Sequence, residues 1–318
     1  MLHLRIYAAA ESTDAVQKML VDDPAVSGLA VLRGASIVPA GDVLLADIAR
    51  EAANNVIDRL RELGVQRGGT VHIEPVRTWI SESGLAAERL APGSSADSVV
   101  WADVVQRSYD DSELNWTYLS FMTLATMLAG IAIVLDSQIL VIGAMILGPD
   151  FGPVAALGVA LVQRRWTLLR LSVVTLLLGF TAAIAVTTVA ALAARSLGWI
   201  TESDITRPRP GTGFVYTPDK WSFIVALIAA AAGALSLTSA KVGGLSGVFI
   251  SVTTIPAAGN IALAFALGDR HELWGSTVQL IINLTGMGLA GWATLTVQKL
   301  VWTRISIRRT GRPPSPHQ

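Results

Sequence analysis

The chain has 318 residues, 52% hydrophobic and 15% charged, with a mean hydropathy of +0.53; a soluble domain carries about 25% charge, so a single water-soluble globule is excluded. Residues 1–115 hold 10 Lys and Arg against 17 Asp and Glu, and residues 116–318 hold 14 against 7. An acidic head before a basic-flanked apolar body excludes nucleic acid as a partner, and the absence of cysteine excludes disulfides, thiol chemistry and cysteine metal sites. The first 30 residues show no basic stretch followed by an apolar run, so no secretory leader is expected. The expectation is a multi-pass protein of the plasma membrane with its head in the cytoplasm.

In the head, Leu2, Leu4 and Ile6 alternate with His3, Arg5 and Tyr7, the period of a half-buried strand. Ser12 is expected to cap a helix with Val16, Met19 and Leu20 on its apolar face. Two extended runs follow, Val26–Leu32 and Val43–Ile48, separated by a turn-rich stretch containing Gly34, Pro39 and Gly41. A second helix carries Val56, Ile57, Leu60 and Leu63 on one face and ends at Gly64. Residues Thr70–Val76 alternate again, with Val71 and Ile73 inward and His72 and Glu74 outward. The order strand, helix, strand, strand, helix, strand predicts an α+β ferredoxin-like domain over residues 1–76. His3, Arg5, Tyr7, His72 and Glu74 line its open face, either as a regulatory or subunit-contact surface or simply as a solvated one. No phosphate loop and no metal-ligand cluster is found there, and no cofactor or metal is expected.

Residues 77–115 form a linker, loop-like from 77 to 96. An amphipathic helix over about 97–113 then aligns Val100, Trp101, Val104, Val105 and Ser108. Its polar face is acidic, unlike a membrane-surface helix, so it is expected to pack on protein.

Six stretches in the body are long and apolar enough to span a bilayer: 116–135, 137–162, 166–195, 221–240, 243–268 and 273–302. Trp116, Trp166, Trp199, Trp221, Trp274 and Trp302 mark their edges. The bias of Arg and Lys among the loops predicts both termini inside, with a basic cytoplasmic tail over 303–318. Two stretches are irregular. The second contains Gly148, Pro149, Asp150, Gly152 and Pro153, where a regular helix is expected to break. The fifth contains Thr253, Thr254, Pro256, Gly259 and Asn260. They hold matching places in two groups of three, which predicts a 3+3 inverted repeat with two broken helices and a substrate or ion site at the midplane. The alternative, that Pro and Gly only kink two ordinary helices, stays open. Asp150 at bilayer depth calls for a cavity or a partner, whereas Asp136 reads as a turn residue capping the second span.

Asp136-Ser137, Gly143-Ala144-Met145 and the Gly-Pro-x-x-Gly-Pro run at 148–153 resemble the DUF389 family of membrane proteins, and Pro256-Ala-Ala-Gly259 resembles its second proline-containing helix. The likeness covers roughly 116–268. The family usually has Ser-Pro at the first break, often followed by an apolar residue, and two prolines in the second; Gly148, Asp150 and the single Pro256 point to a subgroup. The family has no established activity, so the resemblance implies a fold more than a function. The leading expectation is a transporter or channel for an ion or small solute, regulated by the head and forming a homo-oligomer in the lipid bilayer. The alternative is a membrane-anchored sensor or scaffold. Enzymatic chemistry is not expected, because no nucleophile or metal motif is found and none of the four histidines lies in an apolar stretch.

Overall fold

The computed structural model describes residues 1–91, 98–216, 220–238 and 254–310, the side chains of 205, 222 and 302–310 aside. These residues divide into two units. One is Met1–Val104 with Thr238 and the chain from Gln298; the other is Val105–Leu237 with the chain up to Val297.

In the first unit, β1 (Leu2–Ala8) buries every second residue. α1 (Ala10–Val21) buries Val16, Met19 and Leu20. Ser12 is not its cap: the helix starts two residues earlier, Ala9 takes the cap position, and the Ser12 hydroxyl donates back to the Ala9 carbonyl at 2.9 Å. Glu11 in the first turn favours this early start through the helix dipole. β2 (Val26–Ile37) and β3 (Ala40–Ile48) form a longer hairpin than the two apolar runs suggest. The stretch read as a loop stays in the ladder because the Asp42 carboxylate accepts the Gly34 amide at 2.7 Å and Ser36 donates to the Pro39 carbonyl. α2 (Ala53–Glu62) buries Val56, Ile57 and Leu60, whereas Leu63 falls beyond the helix end and is exposed. Gly64, at φ 74°, reverses the chain into the single turn α3 (Val65–Gly68), and β4 (Thr70–Pro75) closes the sheet.

The sheet is antiparallel with order β2-β3-β1-β4. Leu4, Ile6, Leu44 and Ile48 share one core with Val16, Leu20, Val56 and Leu60, so both long helices cover the same face. Residues 77–96 are not all loop: α4 (Glu82–Leu90) starts there because the Ser81 hydroxyl accepts the Gly84 amide at 3.0 Å. α5 (Trp101–Asp111) follows, with Val104, Val105 and Ser108 buried.

The second unit is helical. α6 (Trp116–Val134), α7 (Gln138–Leu147), α8 (Phe151–Val162), α9 (Trp166–Ser196), the short α10 (Ser203–Thr206), α11 (Lys220–Thr238), α12 (Thr254–Leu267) and α13 (Arg270–Thr310) follow in order. Among the described residues, three helices are long and apolar enough to cross a membrane: α6, α9 and α13 as far as Val301. The number rises to four if α7 and α8, bent by 55°, form one span. Of the stretches 221–240 and 243–268, the described residues include the apolar helices Phe223–Thr238 and Thr254–Leu267, and the remainder between them lies outside the described residues. Lys241, Gly247 and Thr253 lie outside the described residues. α12 packs against α6, α7 and α9, and all of its residues except Phe265 are buried.

Candidate functional site

The helix stops at Leu147 for a local reason. Pro149 disfavours the helical conformation of the residue before it, and Gly148 is extended (φ −68°, ψ 127°). The chain restarts at Phe151, so Pro153 does not break a helix as its sequence context suggested. It is the third residue of α8, in the first turn, where backbone N–H groups have no intrahelical acceptor to lose. Pro256 is the third residue of α12 as described, and the part of its stretch before Thr254 lies outside the described residues.

Asp150 occupies the cap position of α8 but makes no side-chain cap bond to it. Its carboxylate instead accepts the hydroxyl of Thr254, the first residue of α12, at 2.5 Å, and both residues are fully buried. The negative group therefore sits at the N-termini of two helices, each equivalent to about half a positive charge. That placement favours a buried carboxylate at this position. Gly152 serves packing: a Cβ there would lie 2.6 Å from the Asp111 Cβ at the end of α5. Ser112, next along, is held to Ser172 (3.0 Å) and accepts from Thr175 (2.6 Å) on α9. Gly259 does the same inside α12, where a Cβ would meet the Ala129 Cβ at 2.8 Å and the Gly130 amide nitrogen at 2.9 Å.

Asn260 lies elsewhere. Two turns beyond Thr254, it donates to Glu272 (3.2 Å) and Ser276 (2.8 Å) on α13 and accepts from Arg209 (3.4 Å). Arg209 also pairs with Glu272 and stands over the Tyr216 ring at 5.0 Å. The guanidinium and the carboxylate are both buried. Sequence reasoning did not single out Arg209 or Glu272 and missed this node. A readable signal was present: Glu272, Ser276, Gln279 and Asn283 recur at spacings of four, three and four, one face of a helix, and all four are buried.

The loop around Arg209 is fastened at several points. Arg207 donates to the Val134 carbonyl, and the Asp136 carboxylate accepts the Gly211 amide (3.3 Å) and the Thr212 hydroxyl (2.9 Å). Ser137, not Asp136, caps α7. Desolvation alone would raise the Asp136 carboxyl, but the bonds from Thr212 and Gly211 and the charge of Arg209 outweigh it and hold it below the usual range. Thr212 is consequently buried rather than an open loop position.

In the first unit, His3, Arg5, Tyr7, His72 and Glu74 lie on one sheet face. His3 meets Asp47 at 2.8 Å, Arg5 meets Glu74 at 3.0 Å, and the Tyr7 and His72 rings are 5.7 Å apart. These contacts are partly or fully exposed, and exposed pairs contribute little to stability. No group of three His, Cys, Asp or Glu able to hold a metal occurs among the described residues.

Three helices of spanning length, a bent helix pair and a buried carboxylate joining two shorter helices define the class of chain. Residues 145–289 match the model of DUF389, a domain of unknown function, and over that stretch the chain is similar to that family. The match leaves out Asp136-Ser137 and Gly143-Ala144 and reaches further than the residues that first suggested it, taking in Glu272, Ser276, Gln279 and Asn283. An uncharacterized protein of Methanocaldococcus jannaschii is 25% identical over 241 residues, covering 75% of this chain and 70% of its own length. No solved structure matches.

Proposed function

We propose that the chain is an integral membrane protein of the plasma membrane that moves an ion or small solute through a site at the α7–α8 break. In this reading six segments enter the membrane as two inverted groups of three, both termini are cytoplasmic, and the copies assemble as a homo-oligomer. The first unit is then a ferredoxin-like regulatory domain, a reading supported by its strand order and its two helices on one face. The repeat reading draws support from the matched third-position prolines, Pro153 in α8 and Pro256 in α12.

One observation carries the proposal: the buried bond between Asp150 and Thr254, residues 104 apart that stand at the starts of two shorter helices. A structural anchor has no need of a carboxylate there, whereas interrupted helices meeting at a polar group are a recurrent way to build a transport site. The test is flux into vesicles reconstituted with the full chain, across monovalent cations, protons and small anions, for wild type and Asp150→Asn. Solute-specific flux lost or altered in pH dependence by Asp150→Asn is the expected result. An intact protein that moves none of the panel favours the membrane-anchored sensor.

A further inference from the structure

Between α9 and α11 the chain has apolar anchors and a polar middle. Ile200 and Val215 are buried in the core of the helical unit. Between them, hydrogen bonds and an ion pair hold the chain to four helices. Arg207 donates to Val134 at the end of α6, and Gly211 and Thr212 donate to Asp136 in the turn before α7. Arg209 meets Asn260 on α12 and Glu272 on α13. Pro208 and Pro210 are exposed, whereas Arg209 between them is buried. Each proline fixes its own φ and holds the residue before it extended. Residues 207–210 are therefore a stiff strap that inserts one guanidinium beside α12 and α13.

A contact that stays shut needs no ion pair, since apolar residues in its place are often neutral or stabilising. Polar groups suit a contact that closes by pairing and opens by hydration, because water satisfies each of them once they part. The closed arrangement also leaves the Arg209 Nε without a hydrogen-bond partner among the described residues, a cost that hydration removes. Asn260, which Arg209 touches, reaches Ser276 at 2.8 Å, and both of these residues are fully buried. We propose that residues 207–212 are a gate. The Arg209 plug lifts on the anchors Ile200 and Val215 and opens the Asn260–Ser276 contact to water and solute. Its service as a gate rests on the transport reading; the lifting of the strap does not.

The test is the rate at which a small charged methanethiosulfonate labels Ser276→Cys in the full chain, which has no cysteine of its own. The substitution only exchanges oxygen for sulfur. Asp136→Ala removes the ties to Gly211 and Thr212 and is expected to speed this labelling about tenfold, the shift that loss of one or two hydrogen bonds produces. Thr126→Cys, buried within α6, is expected to label no faster in the same background. If Asp136→Ala aggregates, Thr212→Val, which removes one of the ties, takes its place. An unchanged rate at Ser276→Cys, or an equal rise at Thr126→Cys, overturns the proposal. In reconstituted vesicles the loosened strap is expected to raise the flux of any solute that wild type moves. Flux that depends on Asp150 but is indifferent to the strap removes the gate and leaves the transport reading. Strap-dependent labelling of a chain that moves no solute removes the transport reading and leaves the lifting strap.

Discussion

Arg209 and Glu272 show what a buried ion pair demands of its surroundings. Both heads are out of water, and each is held by more than the other: Asn260 touches both, and Tyr216 lies beneath the guanidinium. Removing one partner strands a charge, which typically costs 3–5 kcal/mol, whereas replacing both with apolar residues is often neutral. Arg209→Met is therefore expected to destabilise the purified protein by about that amount in denaturant unfolding, and Arg209→Met with Glu272→Met to recover most of it. Equal loss in the single and double variants would mean that the pair is not the cause. Asp136 gives a pH signature. Its carboxyl is held low in the folded protein, so its contribution is complete above the unfolded value near 4 and disappears as pH falls through the lower folded value. Amide exchange at Gly211 and Thr212 is expected to accelerate only at that acidic end, and at neutral pH in Asp136→Asn. None of this pairing was legible in the sequence, because Arg209 is 63 residues from Glu272 and 51 from Asn260. The polar spacing on α13 was legible, but its partner was not.

At the scale of elements, local chemistry fixed starts and stops better than lengths. Pro149 forced the interruption after Leu147, and Ser81, Asn115 and Ser137 each cap the helix that follows. What local chemistry did not convey is the side of a break on which a proline falls: Pro153 looks like an interruption in a string of letters but sits in a first turn. The β2–β3 hairpin outran its apolar runs because Asp42 and Ser36 tie down backbone that propensity alone leaves loose. Helix contact in the bundle depends on missing side chains. Gly259→Ala must push α12 away from the backbone of Gly130, and overpacking of this kind costs about 1–3 kcal/mol. Gly143→Ala, with only a Leu128 methyl at 3.9 Å, meets ordinary contact. Thermal unfolding in detergent is expected to fall for Gly259→Ala and to hold or rise for Gly143→Ala, since both gain helix propensity. Matching behaviour in the two would deny the close approach.

For the whole molecule, composition located the long apolar helices among the described residues. The long apolar runs became α6, α9 and α13, because a continuous run that must satisfy its own backbone has little choice but helix. Counting spans from hydropathy is harder where shorter helices are buried by protein, since hydropathy reports how apolar a segment is and not what surrounds it. The chain has no cysteine, so introduced thiols report cleanly on sidedness. Thr212 is a poor probe because it is buried against Asp136, whereas Ser203 is exposed. An impermeant thiol reagent applied outside intact cells is expected to label Ser203→Cys and to spare Arg165→Cys. Labelling of Arg165→Cys alone reverses the proposed orientation.

The enclosure of α12 also bears on how the protein is manufactured. All fourteen described residues of α12 except Phe265 are buried, so this apolar helix is covered by protein along its length. Its seat is built from α6, α7 and α9, which leave the ribosome long before it. The early helices must therefore wait with an apolar groove unfilled until residues 254–267 arrive, and a product truncated before residue 254 is expected to be cleared by quality-control proteases. A pulse-chase comparison of truncated and full-length chains measures this, and equal half-lives would show that the groove closes without its plug.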